Sequence, residues 1–168
     1  MKISELISVL DVFKNDDIKL LRDLVEDHNQ VIMIGNGGSN SICSHIAQDY
    51  TKQLRKKSFT FSDPSRLTCY INDYGMEAAY AQFILEFADT DTLVILISSS
   101  GNSENIVRAT SMCVSMDIDF ITLTGFDKDN RVRSLYGDKS SLDIWVDSHD
   151  YGVVECAHQI FLHTIVGE

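Results

Sequence analysis

Proline is nearly missing from this sequence: Pro64 is the single instance among 168 residues. Punctuation by proline is therefore confined to one turn, after the second strand-like segment. The four cysteines, Cys43, Cys69, Cys113 and Cys156, form no C-x-x-C pair. That spacing excludes a zinc ribbon and a disulfide framework and fits reduced thiols in a cytoplasmic protein. No apolar run approaches the roughly 18 residues that a membrane span needs. The opening "MKISELISVLDVF" sets acidic residues into an amphipathic pattern, so no secretory leader is expected and the chain reads as soluble. Basic residues are also scarce, with 14 Lys and Arg against 25 Asp and Glu and a net charge of −11. Such a field repels nucleic-acid backbones and anionic membranes, and it excludes a genome-binding role. Any anionic ligand must be held by local donors. Linkers, low-complexity tracts and solenoid repeats are lacking too, so residues 1–168 read as one domain, long enough to bury about two thirds of its unfolded surface.

What is present is a repeated unit. Apolar strand-like segments recur at Val31–Ile34, Ser58–Phe61, Leu93–Ile97, Phe120–Leu123 and Leu142–Val146, with helical patterns between most of them. That alternation predicts a five-stranded parallel sheet with helices on both faces, an α/β three-layer sandwich of flavodoxin-like strand order. Two further helices, near 2–14 and 16–28, form an N-terminal helical segment. In such folds ligands bind beyond the carboxyl ends of the strands.

Those strand ends carry "IGNGGSNS", "SSSGNS" and "TGFDKDN". The first is not a dinucleotide fingerprint, because G-x-G-x-x-G would need glycine where Asn40 stands. A P-loop fails as well, since no G-K-[ST] follows any glycine loop. In "LVILISSSGNSENIVRA" a buried strand turns into a helix through four serines. A helix start offers unpaired N–H groups and a positive dipole end, and small hydroxylated side chains add donors around an anion. The stretch reads as a phosphate cradle. The alternative is plain capping, with Ser100 or Ser103 as the cap and Glu104 in the first turn.

Titratable residues cluster twice. His45 and Asp49 lie at i and i+4 on the helix leaving the glycine loop, so they share a face. Glu155 and His163 are eight residues apart near the C-terminus, about 80° around a helix. Two imidazoles and two carboxylates suit a metal site or an acid–base set; a surface ion pair is the competing reading. His158 has no evident role.

Taken together, "GNGGS", "NDYG", "SSSGNS", "LTG" and the terminal "HQIFLH" resemble the sugar isomerase (SIS) domain family, and within it the phosphoheptose isomerases, from about Val31 to the C-terminus. The resemblance implies an enzyme interconverting sedoheptulose 7-phosphate and a heptose 7-phosphate through an enediolate. It implies that Ser98, Ser99, Ser100 and Ser103 hold the phosphate, that Asn36, Gly37 and Ser39 line the sugar, and that Asp73 lies near the substrate. His163 matches the family's catalytic histidine. Asp49 replaces its catalytic glutamate, and Glu155, which replaces its terminal-helix glutamine, is expected to bind the substrate as well. Zinc-binding members use these positions, so His45, Asp49, Glu155 and His163 are the expected ligands of one Zn2+ per subunit. A homotetramer is expected as well. Other SIS members are non-catalytic sugar-phosphate or partner-binding modules, or act on other phosphosugars. The N-terminal Leu6, Val9, Leu10 and Phe13, at helical spacing, serve either subunit packing or the chain's own core.

Overall fold

The computed structural model describes residues 2–167. Two helices, α1 (Ile3–Leu10) and α2 (Asn15–Asp27), lead into β1 (Gln30–Gly35). The chain continues through α3 (Gly38–Gln53), β2 (Lys57–Thr60), α4 (Pro64–Tyr74), α5 (Ala79–Phe87) and β3 (Thr92–Ser98). It ends with α6 (Glu104–Ser115), β4 (Phe120–Gly125), α7 (Arg131–Tyr136), β5 (Leu142–Val146) and α8 (Tyr151–His163). All strand pairs are parallel, in the order β2-β1-β3-β4-β5. The expected sheet and strand order are both present.

The strands are near-continuous runs of Val, Ile and Leu because both faces are covered. Period-two alternation sorts their side chains into two cores. Val31, Met33, Leu93, Ile95, Ile97, Ile121 and Leu123 point to one face, where Ile46 and Tyr50 of α3 and Phe161 and Leu162 of α8 close over them. Ile32, Ile34, Val94 and Leu96 point to the other, under Phe83 of α5 and Ile106 and Val107 of α6. The Tyr50 hydroxyl donates to Leu162 O at 2.9 Å and so ties α3 to α8.

Two local outcomes differ from the sequence pattern. The helix expected over 2–14 stops at Leu10, and Phe13 turns back so that its ring lies 4.9 Å from that of Phe161. Leu6, Val9, Leu10 and Phe13 therefore pack on the chain's own α8 and β5, while Ile3 and Ile7 stay exposed. Pro64 is not simply in a turn. It occupies the first turn of α4, where its missing N–H costs nothing, and Asp63 caps that helix by accepting from Arg66 N at 2.8 Å.

Strand order places the site. The chain leaves β1 first toward β2 and later returns to β3 on the other side, so connections diverge between β1 and β3 and open a crevice at their carboxyl ends. Gly35 and Ile97 are register partners there. The glycine loop and the serine loop thus emerge side by side.

Candidate active site

A cavity of about 130 Å³ occupies that crevice, lined by Asn36, Ser39, Ile97, Ser98, Ser99, Ser100, Ser103, Tyr151 and Glu155. Seven residues expected to bind the ligand are there together: Asn36, Ser39, the four serines of the loop and Glu155. Three helices begin at its wall, since Ser39 lies in the first turn of α3, Ser103 immediately precedes α6 and Tyr151 opens α8. Their positive dipole ends and unpaired N–H groups converge on one volume that no Lys or Arg lines. An anion can be held there despite the acidic chain.

The serines divide by what their hydroxyls do. Ser98 Oγ accepts from Gly101 N at 3.2 Å and Ser100 Oγ from Asn102 N at 3.2 Å, which shapes the loop. Ser103 stands at the N-cap of α6 but its side chain makes no capping bond. Ser99 Oγ is buried and has no hydrogen-bond partner. Plain capping therefore does not explain these serines, and an unpartnered buried hydroxyl in a cavity points to a ligand. The loop is braced from behind. Val132 N donates to Gly101 O at 3.0 Å, and Gly101, at φ +62°, lies so close to the Asn130 amide that any Cβ would overlap it. Across the crevice Asn36 and Asn105 exchange both amide hydrogen bonds at 2.9 Å, linking the two loops. Tyr80 donates to Gly35 O at 2.9 Å and pins the end of β1.

A second group lies farther along the same two helices. His45 Nε2 is 3.3 Å, and His163 Nε2 3.2 Å, from Asp49 Oδ2, and the imidazoles meet edge to face at 5.2 Å. Asp49 is the most covered of the three, with 16% of its side chain exposed against 54% for His45 and 35% for His163. One ligand atom from each lies within 4.8 Å of the others.

Glu155 departs from the four-ligand expectation. Eight residues on one helix separate it from His163 by about 12 Å, and its carboxylate turns instead toward α3, into the space left by Gly38. A Cβ on Gly38 would overlap that carboxylate. Glu155 therefore belongs to the cavity, where burial raises its pKa. The His–carboxylate group contains three of the four expected residues. Asp73 departs too. It sits on α4, which buries none of its residues, and its partners are the Cys69 thiol at 3.4 Å and the Asn72 amide at 2.9 Å. Gly37 caps α3 at the cavity's edge without lining it. The sequence pattern missed Asn105 and Tyr151. A usable signal for Tyr151 was Asp150 ahead of an apolar run, which marks a helix start: Asp150 Oδ1 accepts from Gly152 N and Val153 N at 2.8 and 3.2 Å.

Comparison with known proteins follows this geometry. Residues 14–125 match the SIS domain. The chain is 33% identical over 115 residues to the phosphoheptose isomerase of Sodalis glossinidius, a match covering 66% of this chain and 59% of that protein. It is 31% identical over 140 residues to the phosphoheptose isomerase of Aeromonas hydrophila, covering 75% and 73%. The chain thus spans about three fifths of the length of the first relative. Among solved structures, the phosphoheptose isomerase of Neisseria gonorrhoeae superposes with a TM-score of 0.86 at 22% identity, over 96% of this chain and 91% of that one. The Vibrio vulnificus NanR protein, complexed with ManNAc-6P, superposes with a TM-score of 0.71 at 16% identity, over 95% and 56%. The domain match runs from the start of α2 to the end of β4 and takes in both loops of the crevice. The chain belongs to the SIS domain family.

Proposed function

We propose that this chain is a phosphosugar aldose–ketose isomerase whose substrate is sedoheptulose 7-phosphate, interconverted with D-glycero-D-manno-heptose 7-phosphate. The observation that carries the reading is that α3 and α8 hold two devices at once: an anion cavity at their N-terminal ends, and His45, Asp49 and His163 about two turns farther on. A separation of about 12 Å along the helices suits an extended sugar phosphate, with its phosphate at one device and its carbonyl end at the other. The names of the Sodalis and Aeromonas relatives support the same substrate.

The chemistry follows from the residues. The serine hydroxyls and helix N-termini bind the phosphate, remote from the reacting carbons, and that binding energy positions the open-chain sugar. Asn36, Ser39 and Glu155 offer hydrogen bonds to sugar hydroxyls. Isomerisation moves a proton between adjacent carbons and needs a base, an acid and stabilisation of charge on oxygen. Asp49 is the carboxylate base, its Oδ2 held between two imidazoles, and His163 exchanges a proton with the carbonyl oxygen. The donor set also fits zinc: ligand atoms around a tetrahedral ion stand about 3.4 Å apart, and the two His–Asp separations are 3.3 and 3.2 Å. A zinc ion held by His45, Asp49 and His163 would supply Lewis-acid polarisation of the carbonyl, the work that His163 does by proton exchange where its Nε2 is free.

On this reading the protein works in the cytoplasm, supplying heptose for cell-surface polysaccharide, and assembles as a homotetramer to which the exposed Ile3 and Ile7 of α1 offer apolar surface. No helix of the described residues is long and apolar enough to cross a membrane. Incubating the purified protein with sedoheptulose 7-phosphate and following the sugar by NMR tests the proposal. Appearance of the aldose supports it; binding without turnover leaves a sugar-phosphate-binding module in its place.

A further inference from the structure

At the mouth of the serine cavity stands an aromatic group that no step above uses. Tyr151 lines the cavity and yet is 59% exposed. Its ring meets the edge of Phe126 at 4.8 Å, and Phe126 stacks on His149 at 5.3 Å. The three residues come from the segments after β4 and β5, at the ligand end of the sheet. Phe126 is held at φ +55°, in the left-handed region that costs a bulky residue energy. Two hydrogen bonds fix it there. Its N–H donates to Ser148 O at 3.0 Å and its carbonyl accepts from Trp145 Nε1 at 3.3 Å. Such strain persists only where the surroundings over-determine it, and it gathers at ligand sites. Here it sets Phe126 as a buttress behind Tyr151, while the rest of the cavity wall is almost wholly polar, with Ile97 as its one aliphatic member.

The geometry points to Tyr151 as a specificity-determining residue, whose ring packs against the carbon chain of the bound sugar phosphate where that chain leaves the serine cavity. This rests on the sugar-phosphate reading of the site. An aromatic face covers the C–H surface of a polyol and leaves its hydroxyls to the polar residues opposite. The phosphate itself touches the serines and the helix N-termini and gains nothing from the ring. The cavity thus separates two tasks: the serine loop recognises the anion, and Tyr151 distinguishes a phosphate that carries a chain from one that does not.

Calorimetry with two probes tests the assignment, using sedoheptulose 7-phosphate and inorganic phosphate against wild type, Tyr151→Ala and Tyr151→Phe. Tyr151→Ala is expected to weaken binding of the sugar phosphate about tenfold, to leave inorganic phosphate within about twofold, and to leave thermal unfolding unchanged because the ring is exposed. Tyr151→Phe keeps the ring and is expected to bind both as wild type does. Unchanged affinity for the sugar phosphate in Tyr151→Ala overturns the assignment. So does an equal loss for both probes, which would make Tyr151 part of the anion cradle. Failure of wild type to bind the sugar phosphate at all would overturn the reading of the site, and this inference with it.

Discussion

His158 offers a sharp test of how the sheet and α8 are packed. The side chain is fully buried, and its Nε2 lies 3.1 Å from Thr124 O, so that nitrogen carries the proton and donates. Nδ1 has no partner, so a second proton on the ring would be buried without support. Burial therefore pushes its pKa down from 6.5 to about 4. Between those values the unfolded chain binds a proton that the folded chain refuses, so stability must rise with pH across the window. The contribution is complete above about pH 6.5, shrinks as pH falls, and is gone below about pH 4. At about 1.4 kcal/mol per pH unit, its full size is about 3 kcal/mol. Urea unfolding of wild type and His158→Gln from pH 7 to pH 4 isolates it, because glutamine can donate to Thr124 O but does not titrate. Wild type is expected to lose about 3 kcal/mol more than the variant across that range. Parallel curves would refute the argument, as would an NMR titration of the His158 ring with a midpoint near 6.5.

Other perturbations probe the cavity and the loop behind it. Ser99→Ala removes a buried hydroxyl without a partner, so stability is expected to hold or rise slightly in thermal unfolding, while phosphate affinity falls by about 1 kcal/mol, roughly fivefold, in calorimetry. Gly101→Ala forces a Cβ into a left-handed position and against the Asn130 amide that caps α7, and it is expected to cost about 2–3 kcal/mol in urea unfolding. Light scattering is expected to give a mass about four times the 18.9 kDa of one chain; a monomer would contradict the proposed assembly.

Much of this was legible in the sequence, for reasons that differ by residue. The five strands declared themselves because a parallel sheet buried on both faces needs unbroken Val, Ile and Leu, and the observed bounds extend the expected ones by one or two residues in most cases. The serine loop was legible because four small hydroxyls at a strand–helix junction exceed what one cap requires. His45 and Asp49 were legible because one turn of helix fixes both their direction and their distance. Glu155 was not. Periodicity reports the angle around a helix but not reach along it, and Glu155 was drawn into the space that Gly38 leaves on another helix. Asp73 lies on the exposed side of α4, whose Leu67, Tyr70 and Ile71 pack on the core, and nothing local in the sequence reveals that it stands away from the serine cavity. Tyr151 and Asn105 act through partners far off in sequence, Phe126 and Asn36, which only the crevice between β1 and β3 brings near.

Solvent-exchange isomerisation tests the central account most directly. With sedoheptulose 7-phosphate in D2O, wild type is expected to place deuterium on the carbon next to the carbonyl, because Asp49 holds the transferred proton 3.2 Å from His163, which is reachable by solvent. Asp49→Asn and His163→Ala are each expected to lower the incorporation rate about 10²-fold or more, the range typical of a lost acid or base, while sugar-phosphate affinity stays near that of wild type. Deuterium entering at an undiminished rate in both variants, or none entering with wild type, would contradict the account.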